Sequence, residues 1–207
     1  PLFTAIPQRQ CTRSDYDGKP VASDELKILE DIAKDQGVDI RLFTTEQALN
    51  DIIQYVVQGN SAQMNDEAFV AELKKWIRFS ESEVLAHRDG LFAASSGNPI
   101  LPEWLGKIVF RLAFNESGEN DKYRQQILSS AGVMVFSSKK NDKASWVKVG
   151  RSYQRFALQA TALGLRHAFI NQAVEVPAVR GQFSEFLGVK QGRVDLLIRF
   201  GYAEPLP

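Results

Sequence analysis

The sequence predicts an α+β fold in which several helices accompany a few separated strands. Segments with apolar residues at three- and four-residue spacing, typical of amphipathic helices, recur along the 207-residue chain. Short apolar or alternating runs, typical of strands, lie between them. With 44% hydrophobic and 24% charged residues, the chain has the balance of an ordinary globular protein. This order of elements indicates either an α+β fold or a layered sheet with helices on both faces.

Helix and strand signals alternate in the N-terminal part of the chain. The first long helical pattern has Leu26, Leu29 and Ala33 on one face. Residues 38–43 alternate apolar and polar side chains, as half-buried strands do. The predicted elements are a turn at residues 15–20, a helix from Ser23 or Asp24 to about Gly37, a strand at 38–43, a helix capped by Thr45, and a helix at 67–79 capped by Asp66.

Residues 90–120 are predicted to be rich in loops, with one short helix at 104–114. Turn-forming residues interrupt this stretch at Gly97-Asn98-Pro99, at Pro102 and at Gly118-Glu119-Asn120. Long irregular excursions inside compact domains are usually functional or mobile. This stretch is therefore a candidate for a functional loop.

The C-terminal part has the most regular patterns. Residues 131–136 form a continuous apolar run, which predicts a central strand covered on both faces. Residues 146–165 have the strongest helical pattern, with small side chains at Ala157, Ala160 and Gly164 that permit close packing. The other predicted elements are a charged loop at 139–143, a strand at 167–170, a helix at 177–187 closed by Gly188, and a strand at 194–200.

Composition excludes several classes of protein. With one cysteine, the chain cannot form an internal disulfide or a cysteine-based zinc site. Its 25 Lys+Arg balance 25 Asp+Glu, so it lacks the basic excess of a simple nucleic-acid-binding protein. No run approaches the roughly 20 apolar residues of a membrane span, and the N-terminus lacks the pattern of a signal peptide. We therefore expect a soluble protein without nucleic-acid or membrane partners.

The first candidate site is the segment from Arg9 to Arg13. It places two guanidinium groups four residues apart around Gln10, Cys11 and Thr12. Arginine forks and short donor side chains are typical of phosphate-binding sites. Two solvated arginines near a chain end are the commoner explanation of such spacing, and both interpretations stay open. Cys11 is also a candidate nucleophile, but a short polar role beside a phosphate suits it better.

Other potential catalytic groups are scattered along the chain. His87 and His167 are the only histidines, and neither falls in a recognisable Cys–His pattern. Glu72, Glu81, Glu83 and Glu175 could do acid–base chemistry, but carboxylates on helices are mostly solvated. The common dinucleotide, Walker, zinc-protease and nucleophile-elbow motifs are absent. The residues alone therefore predict no catalytic group and no metal site.

Three segments, taken in order, resemble the motifs of the nitroreductase superfamily. Residues 5–21, which contain RQCTR and YDGKPV, resemble its first motif, R-x-[ST]-x-R. Residues 146–165, which end in ATALGL, resemble its central helix, and residues 198–202, IRFGY, resemble its terminal strand. The segments 76–79, 88–91 and 151–156 are further similar to the second half of a branch in which two such domains are fused in one chain. That branch includes dormancy-associated proteins thought to sequester flavin.

This resemblance implies that residues 1–207 form one FMN-binding domain with a central, mostly antiparallel sheet flanked by helices. It implies that Arg9, Gln10, Cys11 and Arg13 meet the phosphate and ribityl chain of FMN, and that the backbone at Glu175 faces the flavin N5 edge. It also implies an oxidoreductase that passes electrons from NAD(P)H through FMN to nitroaromatic or quinone-like acceptors. The site is expected at the interface of a homodimer, or of a pseudo-dimer with a second such domain.

Departures from the family pattern keep other functions open. The family's S-x-N-x-Q-P-W segment, whose Asn addresses the flavin ring, has no counterpart, and Pro207 precedes the family's basic C-terminal residues. Together with the missing initiator Met, this predicts either the second half of a longer fused chain or a protein whose site is completed by another copy or segment. The alternatives are a flavin-binding protein with little turnover, in which residues 91–120 exclude nicotinamide, and a domain that mainly supplies an interface. The lone cysteine suits a cytoplasmic location, and export is the alternative.

Overall fold

The computed structural model of the chain describes residues 2–96 and 99–205. Gly97 and Asn98, predicted to lie in a loop, fall outside the described residues. The helices are α1 (Leu2–Ala5), α2 (Ser23–Ala33), α3 (Glu46–Met64), α4 (Glu67–Trp76), α5 (Glu81–His87), α6 (Glu103–Ala113), α7 (Glu116–Leu128), α8 (Lys143–Ala162), α9 (Gln172–Glu175) and α10 (Pro177–Phe186). The strands are β1 (Val38–Phe43), β2 (Ile77–Arg78), β3 (Leu91–Phe92), β4 (Gly132–Ser138), β5 (Arg166–Phe169) and β6 (Arg193–Gly201). Within these ranges no helix has both the length and the apolar character to span a bilayer.

Four strands form one antiparallel sheet in the order β1-β4-β6-β5. The register pairs Ile40 of β1 with Phe136 of β4, and Met134 of β4 with Ile198 of β6. Helices flank this sheet on both faces. The predicted fold class, an α+β fold with a central antiparallel sheet between helices, is confirmed.

The central strand β4 is covered on both faces, as its continuous apolar run predicted. Val133 and Val135 belong to a core formed with α3, α7, α9 and α10. Met134 and Phe136 belong to a second core, formed with α2 and α8. Because successive side chains of a strand point to opposite faces, a run without polar interruption fits only a strand that is buried on both sides.

Capping side chains set the starts of two predicted helices. The Thr45 side chain accepts a hydrogen bond from the N–H of Ala48 at the start of α3, and Asp66 caps α4 in the same way. Helix α2 differs from its prediction, because it begins at Ser23 with Ala22 in the cap position and no capping side chain. It also ends at Ala33, and Gly37, with φ of +83°, forms the turn that leads into β1.

Two short elements replace the end of the predicted 67–79 helix. Helix α4 ends at Trp76 because the next two residues pair with β3 as a short parallel strand. Helix α5 follows, with a capping box in which Ser80 and Glu83 each bond to the other's backbone. The S-x-x-E spacing of this box was a visible signal for α5.

Helix α7 begins inside the stretch, residues 90–120, that was predicted to be rich in loops. The residues Gly118-Glu119-Asn120 lie in its first turns rather than in a turn of their own. The Asn115 side chain accepts from the N–H of Gly118 and so caps the helix. Polar residues that favour turns are therefore placed where a helix start tolerates them.

Residues 67–114, called the cap below, fold around one phenylalanine. The N–H of Phe79 donates to Glu83 Oε2 (2.8 Å), and its carbonyl accepts from the N–H of Leu101 (3.2 Å). Its ring lies directly against Gly106 of α6. These contacts bring β2, α5 and α6 together at a single residue.

The cap stands apart from the two cores of the sheet. In the described part of the chain, neither core includes a cap residue. The chain enters and leaves the cap at one place, where Asn65 Nδ2 donates to Glu116 Oε2 (3.1 Å). Helices α3 and α7, which flank this point, pack against each other.

Candidate functional site

The arginine segment, residues 9–13, lies along the edge strand β5. Cys11 pairs with β5 as a parallel bridge, and the N–H of Thr12 donates to a carbonyl of β5 (3.0 Å). Thr12 is fully buried, whereas Cys11 and Arg13 are partly exposed. The segment therefore places a guanidinium group on either side of a partly exposed thiol, beside β5.

The neighbours of Arg9 leave its positive charge uncompensated. Burial, together with the positive charges of Arg9 and Arg166, lowers the pKa of His167 to about 4, so His167 is neutral at pH 7. Burial likewise raises the pKa of Tyr153 to about 12, so its hydroxyl group keeps its proton. Neither Arg9 nor Arg13 forms an ion pair with a described carboxylate. The segment therefore presents two unpaired positive charges.

A cavity of about 340 Å³ opens beside Arg13. Its polar lining residues come from the segments around the sheet, and most of its apolar lining residues come from the cap. The polar lining residues include Arg13, Gln63, Lys122, Tyr123, Gln172, Glu175 and Arg199, and the apolar lining residues include Leu73, Phe79, Leu101, Gly106, Val109 and Phe110. An apolar pocket of this size with a few convergent polar groups is typical of a small-molecule site.

The polar groups of the cavity are held by their neighbours. Gln63 Nε2 donates to Glu175 Oε2 (2.8 Å), which fixes the carboxylate against α3. Burial raises the pKa of Tyr123 to about 12, and the Gln172 side chain is hydrogen-bonded to its hydroxyl. Helix α9 can approach α3 this closely because of Gly59, where a Cβ would lie 2.4 Å from the Gln172 carbonyl oxygen. Close packing of α3 and α9 therefore sets the position of Glu175.

The structure brings two of the predicted site residues into one cavity. Arg13 and Glu175 both line it, although they are far apart in sequence. Arg9, Gln10 and Cys11 belong to the same segment as Arg13, but they do not line the described cavity. The contacts of all five residues with FMN stay predictions.

The other candidate acid–base groups have structural or exposed positions. Glu72 and Glu81 are exposed on α4 and α5, and Glu83 is part of the capping box. His87 is exposed at the end of α5. In the two described ranges, no three His, Cys, Asp or Glu side chains lie close enough together to hold a metal ion.

Several polar residues of the site were not predicted from the sequence. Tyr123 and Gln172 lie on α7 and α9, neither of which was predicted. Arg199 is fully buried on β6 and was noticed only as part of a motif. Its signal was visible, because a charged residue inside an apolar strand is costly to bury unless it has partners.

Solved structures of nitroreductases share this fold at low sequence identity. A nitroreductase with bound FMN from Bacteroides fragilis NCTC 9343 is 15% identical, with a TM-score of 0.58 over 98% of this chain and 88% of that chain. A nitroreductase with bound FMN from Desulfitobacterium hafniense DCB-2 is 13% identical, with a TM-score of 0.61 over 100% and 90%. The FMN-dependent nitroreductase NfnB from Mycobacterium smegmatis, in complex with NADPH, is 13% identical, with a TM-score of 0.60 over 98% and 87%. At these identities the likeness shows the fold alone.

A comparison of the sequence with protein-family models assigns the chain to a family. No curated protein sequence gives a significant match. The family model of the nitroreductases matches residues 6–202, which is nearly the whole chain. The order of the N-terminal, central and terminal motifs predicted this relationship, and the match confirms it. The chain therefore belongs to the nitroreductase family.

Proposed function

We propose that the chain is an FMN-dependent oxidoreductase that takes electrons from NAD(P)H and passes them to nitroaromatic or quinone-like acceptors. The observation that carries this proposal is the position of the arginine segment, residues 9–13, along β5, with Arg13 at a cavity lined by apolar and aromatic residues of the cap. The nitroreductases from B. fragilis and D. hafniense bind FMN, and the enzyme from M. smegmatis binds NADPH. These relatives support the choice of cofactor and of electron donor.

The arginine segment has the donors that a phosphate monoester requires. An arginine presents five N–H donors in a planar fork that can bind phosphate through two hydrogen bonds. Arg9 and Arg13 are partly exposed and have no described carboxylate partner, so both are open to a dianionic group. Cys11 lies between them and is small enough to leave room for the phosphate. These three residues would hold the phosphate of FMN, with Gln10 near the ribityl chain.

The cavity suits a planar aromatic ring. Phe79 and Phe110 supply an apolar wall, which favours burial and stacking of an aromatic ring. Gln172 and Glu175, which also line the cavity, supply polar groups. Because its pKa is about 12, Tyr123 keeps its proton at neutral pH and can donate a hydrogen bond to a bound ring. When bound, FMN would supply the electron transfer, and these residues would orient it and exclude water.

A spectroscopic experiment tests this proposal. The purified 207-residue chain is expected to show a flavin spectrum, either as isolated or after FMN is added and the excess removed. Anaerobic NADPH should then bleach the flavin, and a quinone or nitroaromatic compound should restore its absorbance. A double variant, Arg9→Ala with Arg13→Ala, serves as the control and should lose the bound flavin. Failure of the wild-type chain to bind FMN would overturn the proposal.

A second candidate function is flavin binding with little turnover. The observation that favours it is the cap, which supplies one whole wall of the cavity through α4, β2, β3 and α6. A wall in this position would cover the side from which nicotinamide approaches a bound flavin. In that case NADPH should leave the flavin oxidised, whereas dithionite, a much smaller reductant, should bleach it. Bleaching by both reagents at similar rates would favour the enzyme.

We also propose that a second nitroreductase-like domain completes the site, in a homodimer or in a longer fused chain. Large apolar side chains that stay exposed on α1 and α8 support this, namely Phe3 (81%) and Val147 (69%). The measurement is the molar mass in solution, by light scattering, with and without FMN. A monomer that binds FMN tightly would contradict this proposal.

A further inference from the structure

Arg199 is a fully buried arginine whose guanidinium group has no described carboxylate partner. Its Nη2 donates to the carbonyl of Ser14 (2.8 Å) and makes a longer contact with the carbonyl of Thr12 (3.5 Å). Its Nη1 contacts the carbonyl of Gln126 (3.4 Å), and its Cζ lies 4.1 Å from the centre of the Tyr16 ring. Burying a guanidinium group without a carboxylate is costly. The contacts of the Arg199 guanidinium group with backbone carbonyl groups must therefore offset this cost.

The contacts of Arg199 converge on the backbone of the arginine segment. Three consecutive carbonyl groups, at residues 12–14, accept hydrogen bonds from side chains. The carbonyl of Thr12 also accepts from Tyr16 Oη (2.9 Å), and that of Arg13 accepts from Gln126 Nε2 (2.6 Å). Side chains, rather than a neighbouring strand, satisfy these carbonyl groups. The direction in which the Arg13 side chain leaves the backbone is therefore set by β6 and α7.

The role of Arg199 is indirect. Although it lies at the cavity wall, its Nε is buried, with no hydrogen-bond partner in the described residues, and both Nη atoms face carbonyl groups. Because the Arg199 side chain is fully buried, a ligand in the cavity meets no exposed donor of this residue. The effect of Arg199 on a ligand must pass through the segment that it holds.

We propose that Arg199 is a positioning residue, which holds residues 12–14 so that Arg9, Cys11 and Arg13 converge on the phosphate group of one ligand. The inference rests on the proposed FMN site. The charge of Arg199 has a second effect. A positive group in low-dielectric surroundings makes the nearby electrostatic potential more positive, which favours the binding of a dianion. A neutral side chain could satisfy the same carbonyl groups, but it would not supply this potential.

The test compares FMN with riboflavin, which has the same ring and ribityl chain but no phosphate. Affinities for both are measured by titration of flavin fluorescence with the full chain. The positioning role predicts that Arg199→Gln weakens FMN about tenfold or more, the effect of one misplaced charge-assisted contact. Riboflavin affinity should change less than about twofold, because no phosphate contact is lost. The measured quantity is the ratio of the affinity for FMN to the affinity for riboflavin, which should fall in Arg199→Gln.

A matched control and two milder variants keep the result interpretable. Arg155→Gln is the control, because Arg155 also donates to backbone carbonyls, those of Ile32 and Lys34, which lie outside the arginine segment. It should leave the ratio unchanged. Arg199→Lys keeps the charge but loses the fork, and Tyr16→Phe removes one donor to the Thr12 carbonyl. Both should lower the ratio partly, and they decide the test if Arg199→Gln does not fold.

Each outcome decides between the alternatives. If the variants weaken FMN and riboflavin equally, Arg199 only stabilises the fold and the inference is wrong. The inference is also wrong if the ratio stays at its wild-type value in all three variants. If the wild-type chain binds FMN but does not prefer it to riboflavin, the phosphate assignment fails together with the inference. If the wild-type chain binds neither flavin, the proposed function itself fails.

Discussion

The substitution Gly106→Ala tests the contact on which the cap is built. A Cβ at Gly106 would lie 2.4 Å from Phe79 Cγ and 2.6 Å from Phe79 Cβ. Since carbon atoms in contact are about 3.5–4.0 Å apart, the ring or α6 must move by roughly 1 Å. Such overpacking costs about 1–3 kcal/mol, while replacing glycine in a helix gains up to about 1 kcal/mol. We expect a net loss of up to about 3 kcal/mol in the stability of the cap.

The matched control is Gly181→Ala in α10, where nothing lies within 4 Å of the added Cβ. This variant should gain about 0.5–1 kcal/mol, because only the helix propensity changes. Guanidinium chloride unfolding measures both variants, and limited proteolysis reports on the cap itself. Because Phe79 and Gly106 line the cavity, the rate at which NADPH reduces bound FMN should also change in Gly106→Ala. Equal stabilisation of the two variants would show that α6 does not lie against Phe79.

Three further predictions concern charged and titratable groups. Arg9→Ala and Arg13→Ala should each weaken FMN binding by about 1.5–3 kcal/mol in fluorescence titrations and leave the melting temperature nearly unchanged; wild-type affinity in both would contradict the phosphate assignment. Because burial lowers the pKa of His167 from 6.5 to about 4, the stability that its neutral form contributes is present above pH 6.5 and is lost as the pH falls toward 4. His167→Phe should remove this loss of stability, which is on the order of 3 kcal/mol between pH 7 and pH 4, as measured from denaturant unfolding at the two pH values. If the variant loses as much stability as the wild type over this range, other groups cause the loss. The Arg151 guanidinium beside Asp35 holds the pKa of that carboxyl well below its usual range, so Asp35→Asn should destabilise the protein at pH 7 and less so in acid, as thermal melts at both pH values would show.

The sheet was predictable because its signals are local. The apolar run at residues 131–136 is short and continuous, which is typical of a strand that is buried on both faces. The caps at Thr45 and Asp66 likewise depend on residues two or three positions away. Helix α7 was missed because Gly118 and its neighbours favour turns, and only packing against α3 decides between a turn and a helix start.

The site was predictable only in part, because its walls come from distant segments. Arg13 and Glu175 were predicted from motifs, and the structure places both at one cavity. The same cavity is lined by Phe79 and Phe110 of the cap, whose position depends on contacts that no sequence pattern specifies. The role of Arg199 depends on carbonyl groups more than 180 residues away in the chain, at hydrogen-bond distances that only the folded structure shows.

Because the chain enters and leaves the cap at one place, the cap is an insertion between α3 and α7. Its two ends meet at the hydrogen bond between Asn65 and Glu116, so a short linker could join α3 to α7 without moving either helix. Neither described core would lose a side chain. Excision of the cap would therefore leave a sheet protein with the arginine segment intact and the cavity open on one side. A change in the cap can therefore alter the lining of the cavity while the arginine segment keeps its position along β5.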